Sequence, residues 1–108
     1  MTKLKHYKMF IDGEWVESEN KKTFETLNPE NNKPWAVVPE ASANDVNKAV
    51  NAAQKAFEGD WPKLLPKERA NLPRAIGQQL REKAEMLAET ETIDTAKIIR
   101  ETKKHATY

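Results

Sequence analysis

The spacing of apolar positions changes character near residue 42. Before it, apolar residues come in short runs. Met9-Phe10-Ile11 and Trp15-Val16 flank Asp12-Gly13-Glu14. An Asp-Gly pair between two such runs predicts a hairpin, because the tight turn needs positive φ and glycine adopts it at no steric cost. A polar stretch over residues 17–22 leads to Thr23-Phe24-Glu25-Thr26-Leu27, where alternation is imperfect but still reads as a strand. Residues 28–34 carry Asn-Pro and Asn-Asn turn chemistry. Trp35-Ala36-Val37-Val38 predicts a short third strand, closed by Pro39.

After residue 42 the period becomes helical. Ser42 is a good N-cap, with Asp45 three residues on to complement the exposed N–H groups. Val46, Ala49, Val50, Ala53 and Phe57 then share one face, and Gly59 is placed to stop the helix. Beyond a linker containing Trp61 and Pro62, Pro66 suits a first helical turn. Leu72, Ile76, Leu80, Ala84 and Leu87 repeat at spacings of three or four, which predicts one long helix ending near residue 95. Residues 98–108 start another. Pro73 breaks the logic of the second helix: it removes a backbone donor and clashes with the Arg69 carbonyl, at a cost of ~3 kcal/mol. Alternatively, Asn71 recaps the helix and puts Pro73 in a new first turn. Gly77 adds about 1 kcal/mol of weakness.

Composition narrows the choices. A chain of 108 residues allows one domain at most, with a modest core. The net charge is +1, and the charged residues, 32% of the chain, are mixed in sign. No nucleic-acid partner and no anionic membrane is expected. No apolar run approaches the ~18 residues of a membrane span. The first eight residues are polar and lack the apolar stretch of a secretory signal, and cysteine is absent. A cytoplasmic location is the expectation.

The absence of cysteine excludes disulfides, thiolate zinc sites and a cysteine nucleophile within these residues. Gly13, Gly59 and Gly77 lie too far apart for a G-x-G-x-x-G phosphate turn. His6 and His105 make no local metal motif. They read as surface histidines, and Lys103-Lys104 as a solvated helix face. Trp15, Trp35 and Trp61 suit core or hairpin packing better than a binding face. No residue here is assigned a catalytic role.

Several segments in order resemble the N-terminal portion of aldehyde dehydrogenases. Phe10-Ile11-Asp12-Gly13-Glu14-Trp15-Val16 is similar to the family's opening hairpin, and Thr23-Phe24-Glu25-Thr26-Leu27-Asn28-Pro29 to its strand and Asn-Pro turn. Asp45-Val46 through Ala53, Ala56 and Phe57 is similar to its first helix. Trp61, Pro66, Glu68 and Arg69 follow at family spacing. Residues 87–97 resemble the segment Leu-Glu-Thr-x-Asp-Thr-Gly-Lys, except that Ala96 stands where the family has glycine. If Ala96 is left-handed there, the cost is roughly 1–2 kcal/mol.

The resemblance implies an α/β fold. Residues 1–108 would form an N-terminal part of a Rossmann-like NAD-binding domain, with hairpin and short strands followed by three helical segments and no complete second domain. It implies an ancestry in NAD- or NADP-dependent oxidation of aldehydes to carboxylic acids. The family's catalytic cysteine, glutamate base and cofactor loop lie beyond the matched region, so a truncated chain, inactive alone and without its own cofactor, is expected. The resemblance also implies a monovalent-cation site, incomplete here, with oxygen ligands from Thr26, Leu27 and Asp94. The alternative for Asp94 is an ordinary helix-end residue. Partners implied are a full-length dehydrogenase subunit or a missing C-terminal chain, making the chain an interaction module or one half of a split enzyme.

Overall fold

The computed structural model describes residues 3–107; what the sequence analysis expects of Met1, Thr2 and Tyr108 lies outside the described residues. The strands are β1 (Lys5–His6), β2 (Met9–Ile11), β3 (Glu14–Val16), β4 (Thr23–Asn28) and β5 (Lys33–Pro39). The helices are α1 (Ala43–Glu58), α2 (Pro66–Glu82), α3 (Ala84–Thr95) and α4 (Ile99–Thr107), with a 3₁₀ turn at Trp61–Lys63. Contacts divide the chain into two compact units. One runs up to Thr26 and resumes over Pro34–Leu64; the other comprises Leu27–Lys33 and everything from Leu65 onward.

In the first unit, β2 and β3 form the expected antiparallel hairpin, pairing Met9 with Val16 and Phe10 with Trp15. Asp12 and Gly13 both have positive φ, 53° and 79°, the requirement of the two-residue turn. Strand β1, two residues without apolar alternation, has no signature in the sequence. It pairs in parallel with β5, Lys5 against Ala36 and His6 against Val37, in a sheet ordered β1-β5-β4. Tyr7 N–H extends that ladder to the Val37 carbonyl at 3.0 Å. The strand through Trp35–Val38 is as anticipated, and buries Ala36 and Val37.

Helix α1 starts at the expected cap. Asp45 N–H donates to Ser42 Oγ at 3.1 Å, and the Asp45 carboxylate accepts from Ser42 N–H at 2.9 Å, closing a capping box. The apolar face of α1 is turned outward. Val46, Val50 and Phe57 are exposed, Val50 at 60%, while Asp45 is buried and Ala49 and Ala52 are half-buried. Periodicity identified an apolar stripe but not which side of the helix the first unit covers. Gly59 ends the helix without left-handed geometry, at φ −85°. Glycine also relieves crowding there, because a Cβ would come within 3.0 Å of the Lys55 carbonyl.

In the second unit, residues 28–33 form the expected turn. Asn28 Oδ1 accepts from Glu30 N–H at 3.0 Å, and Asn31 Oδ1 from Lys33 N–H at 3.0 Å. Pro66 opens α2, where Glu68 reaches back to the Leu65 N–H at 2.8 Å. The helix runs unbroken through Pro73, so Asn71 does not recap it.

The long second helix is a correction. It divides at Lys83, which adopts φ −104°, ψ 14°, so the described residues form four α-helices rather than three helical segments. Lys83 closes one helix and opens the next: its N–H donates to Gln79 O at 3.1 Å, and its carbonyl accepts from Leu87 N–H at 3.0 Å. The axis bends without a glycine or proline to announce it. Past the bend Ala84 and Ala88 are buried, and α3 packs on α4. Alanine permits that close approach. Upstream, Leu72, Ile76 and Leu80 remain exposed.

Candidate functional site

The residues singled out by sequence occupy distinct places. Thr26 and Leu27 are consecutive on β4, Thr26 in the first unit and Leu27 in the second. Asp94 lies in the last turn of α3, in the second unit. That helix end is largely satisfied by its own chain. Thr95 Oγ1 donates to Glu91 O at 2.7 Å, Ala96 N–H donates to Thr92 O at 2.9 Å, and Lys97 Nζ meets Glu91 Oε1 at 2.8 Å. Ala96 has φ 60° and ψ 17°, the left-handed conformation anticipated for the family's glycine position.

His6 and His105 are exposed, and among the described residues no three His, Cys, Asp or Glu side chains cluster as a metal site. Among the described residues no helix is long and apolar enough to cross a membrane. Trp15 and Trp35 pack on neighbouring rings, and Trp61 is 39% exposed. Trp15 lies 5.0 Å from Phe10 across the hairpin, and Trp35 meets Tyr7 edge-on at 6.2 Å.

Two concavities mark the second unit. One, of about 390 Å³, is bounded by Leu80, Arg81, Leu87, Glu91 and His105. The other, of about 310 Å³, is almost wholly apolar and is formed by Ile76, Leu80 and Leu87 where the Lys83 bend brings α2 and α3 round it. Neither lining includes a serine or a cysteine.

A polar centre escaped the sequence reading. The Asp45 carboxylate accepts not only from Ser42 but from Glu19 N–H, at 3.2 Å to both oxygens, across 26 residues. Asp45 is 4% exposed. The Ser42 N–H holds its carboxyl below the usual carboxylate range against the opposing effect of burial, with Glu19 N–H and the Ser42 hydroxyl assisting. A helix-capping pattern signals the local half of this centre. The Glu19 contact has no sequence signature.

The aldehyde dehydrogenase family model matches residues 15–108. An aldehyde dehydrogenase of Aspergillus niger is 45% identical over 91 residues, covering 84% of this chain and 18% of that protein. The betaine aldehyde dehydrogenase of Bacillus subtilis is 38% identical over 96 residues, covering 88% and 20%. Among solved structures, an NAD-dependent aldehyde dehydrogenase from Sinorhizobium meliloti superimposes with a TM-score of 0.94 at 31% identity, covering 99% of this chain and 22% of that one. Betaine aldehyde dehydrogenase from Staphylococcus aureus in complex with NAD+ gives 0.88 at 39% identity, covering 92% and 20%. The fold is thus the mixed α/β arrangement of the N-terminal Rossmann-like region of NAD-binding dehydrogenases, and the chain belongs to the aldehyde dehydrogenase family. It spans about a fifth of the length of the relatives it matches.

Proposed function

We propose that these 108 residues are a scaffold portion of an aldehyde-oxidising enzyme of the NAD(P)-dependent class and do not catalyse alone. The observation that carries this reading is the absence of any cysteine in a chain whose family attacks the aldehyde with a thiolate. The nucleophile, the glutamate base and the cofactor loop would come from sequence outside the matched fifth. When bound, the nicotinamide supplies the hydride acceptor. This chain's residues contribute strands and helices that support its domain. Thr26, Leu27 and Asp94 enter the reading as oxygen donors of the type a monovalent cation takes.

Exposed apolar stripes favour a partner. Val46, Val50 and Phe57 on α1, and Leu72, Ile76 and Leu80 on α2, present more large apolar side chains than a monomer of this size ordinarily leaves in water. The partner in this reading is a full-length dehydrogenase subunit or a chain carrying the remaining four-fifths. The compartment in this reading is the cytoplasm.

The test is NADH formation from an aldehyde panel. The purified chain alone should give none above the blank, and aldehyde-dependent turnover by it would overturn the proposal. Co-expression with the complementary part of a relative separates the two partner readings. Turnover selects a split enzyme, whereas a stable complex without turnover selects an interaction module.

A further inference from the structure

A cleft of about 160 Å³ in the first unit gathers Lys8, Lys21 and Lys22 around an apolar floor of Val37 and Pro39. The whole chain carries a net charge of only +1, so this concentration is local. Glu17 is the one acidic residue of the lining, and leaves the cleft cationic. None of the three lysine ammonium groups has an ion-pair or hydrogen-bond partner among the described residues, in contrast to Lys97 and Lys103.

The frame beneath these side chains is preorganised. Lys21 N–H donates to Ser18 O at 2.9 Å, and Ser18, 3% exposed, donates its hydroxyl to Lys22 O at 2.9 Å. Asn20 Oδ1 accepts from Lys22 N–H at 3.1 Å, and Lys21 sits at φ 56°. The turn is anchored further by Glu19 N–H on the Asp45 carboxylate and by Glu40 N–H on Lys22 O at 2.9 Å. Lys8 approaches from the β1–β2 connection, which the Tyr7–Val37 backbone bond ties to β5. Unpaired cations held on a fixed backbone attract an anion without the ordering cost of a mobile loop.

We infer that this cleft binds a phosphate group, as the free ion or as a small phosphomonoester whose organic part rests on Tyr7, Val37 and Pro39. The inference is independent of the dehydrogenase reading. The ammonium groups would supply charge-assisted hydrogen bonds, and the floor would exclude water from one side.

The experiment is a titration of the intact chain with inorganic phosphate and, separately, glycerol phosphate, followed by amide chemical shifts. Chloride keeps the ionic strength constant, because diffuse screening would otherwise mimic binding. Saturable shifts confined to residues 6–8, 17–23 and 37–39 are expected, and the double variant Lys21→Gln/Lys22→Gln should weaken binding about tenfold or more. Lys8→Gln, on a separate segment, should weaken it independently. All three positions are exposed, so circular dichroism should be unchanged. Tighter binding of the ester selects the phosphomonoester, and equal binding the free ion. Non-saturable shifts, equal shifts with chloride alone, or unaltered affinity in the variants would overturn the inference.

Discussion

Thr92 Oγ1 and Thr102 Oγ1 lie 2.9 Å apart, joining α3 to α4 in the second unit. Thr102 is fully buried, and gives its single hydroxyl hydrogen to the Ile99 carbonyl at 3.0 Å. With the Thr102 hydrogen on Ile99 O, Thr92 is the donor between them, although the hydroxyl geometry permits either direction. Substituting Thr102→Val keeps the shape but leaves the half-buried Thr92 hydroxyl without its acceptor. We expect a loss of roughly 1–2 kcal/mol in urea unfolding, and recovery of much of it in the Thr92→Val/Thr102→Val pair, where neither polar group remains.

Ala96 carries a strain that glycine would remove. Its φ of 60° is the left-handed region, and its N–H closes the end of α3 on Thr92 O. Ala96→Gly relieves the Cβ clash at the expense of greater freedom in the unfolded chain, so a net gain of about 1 kcal/mol is expected. A higher urea midpoint at unchanged slope would register it.

Pro73 and Gly77 weaken α2 by different routes. Pro73 takes a hydrogen bond out of a helix that continues on both sides, whereas Gly77 leaves open space where a Cβ would meet nothing within 4 Å. Pro73→Ala should stabilise by up to ~3 kcal/mol and Gly77→Ala by about 1 kcal/mol. Both should raise the helical signal in far-ultraviolet circular dichroism. A fall in helicity for Pro73→Ala would mean the proline fits a local distortion of α2 that alanine does not.

The sequence was most legible where backbone chemistry is local. Asp12-Gly13, Ser42 with Asp45, Pro66, and the strained position of Ala96 each act within three or four residues, and each appears as its residue type foretells. It was least legible where the outcome depends on distant partners. The Lys83 bend follows from packing of Ala84 and Ala88 in the α3–α4 pair, and β1 exists because β5 offers it an edge. The lysine cleft was hidden for the same reason, since Lys8 joins Lys21 and Lys22 only once β1 is paired.

The apolar stripes show that limit most clearly, and mutation can read their exposure directly. Periodicity put Val50 and Ile76 on the apolar faces of their helices, and those side chains are 60% and 54% exposed. In the isolated chain, Val50→Lys and Ile76→Lys should each change unfolding free energy by less than about 0.5 kcal/mol, as surface substitutions do. They should also lower binding of a hydrophobic dye. A loss of several kcal/mol from either change would place that side chain in a core instead.

Asp45 gives the chain an acid-sensitive joint. Its carboxyl is held below the ordinary value of 3.8, chiefly by the Ser42 N–H. A depressed folded-state value means that the charged form is favoured by folding. Its stabilising contribution is complete above the unfolded-state value and disappears as pH falls through the folded-state value. Asp45→Asn, which keeps an acceptor but not the charge, should therefore melt below the parent at pH 7, with the gap closing as pH drops below about 4. The loss should be local to the 18–22 turn and the start of α1, where Glu19 N–H and Ser42 N–H share the carboxylate. Amide exchange at Glu19 and Ser42 should accelerate in the variant at pH 7. In the parent it should show the same acceleration, after correction for intrinsic exchange, only in acid. A melting gap that stays constant from pH 7 to pH 3 would remove the charge from this account and leave the hydrogen-bond geometry alone.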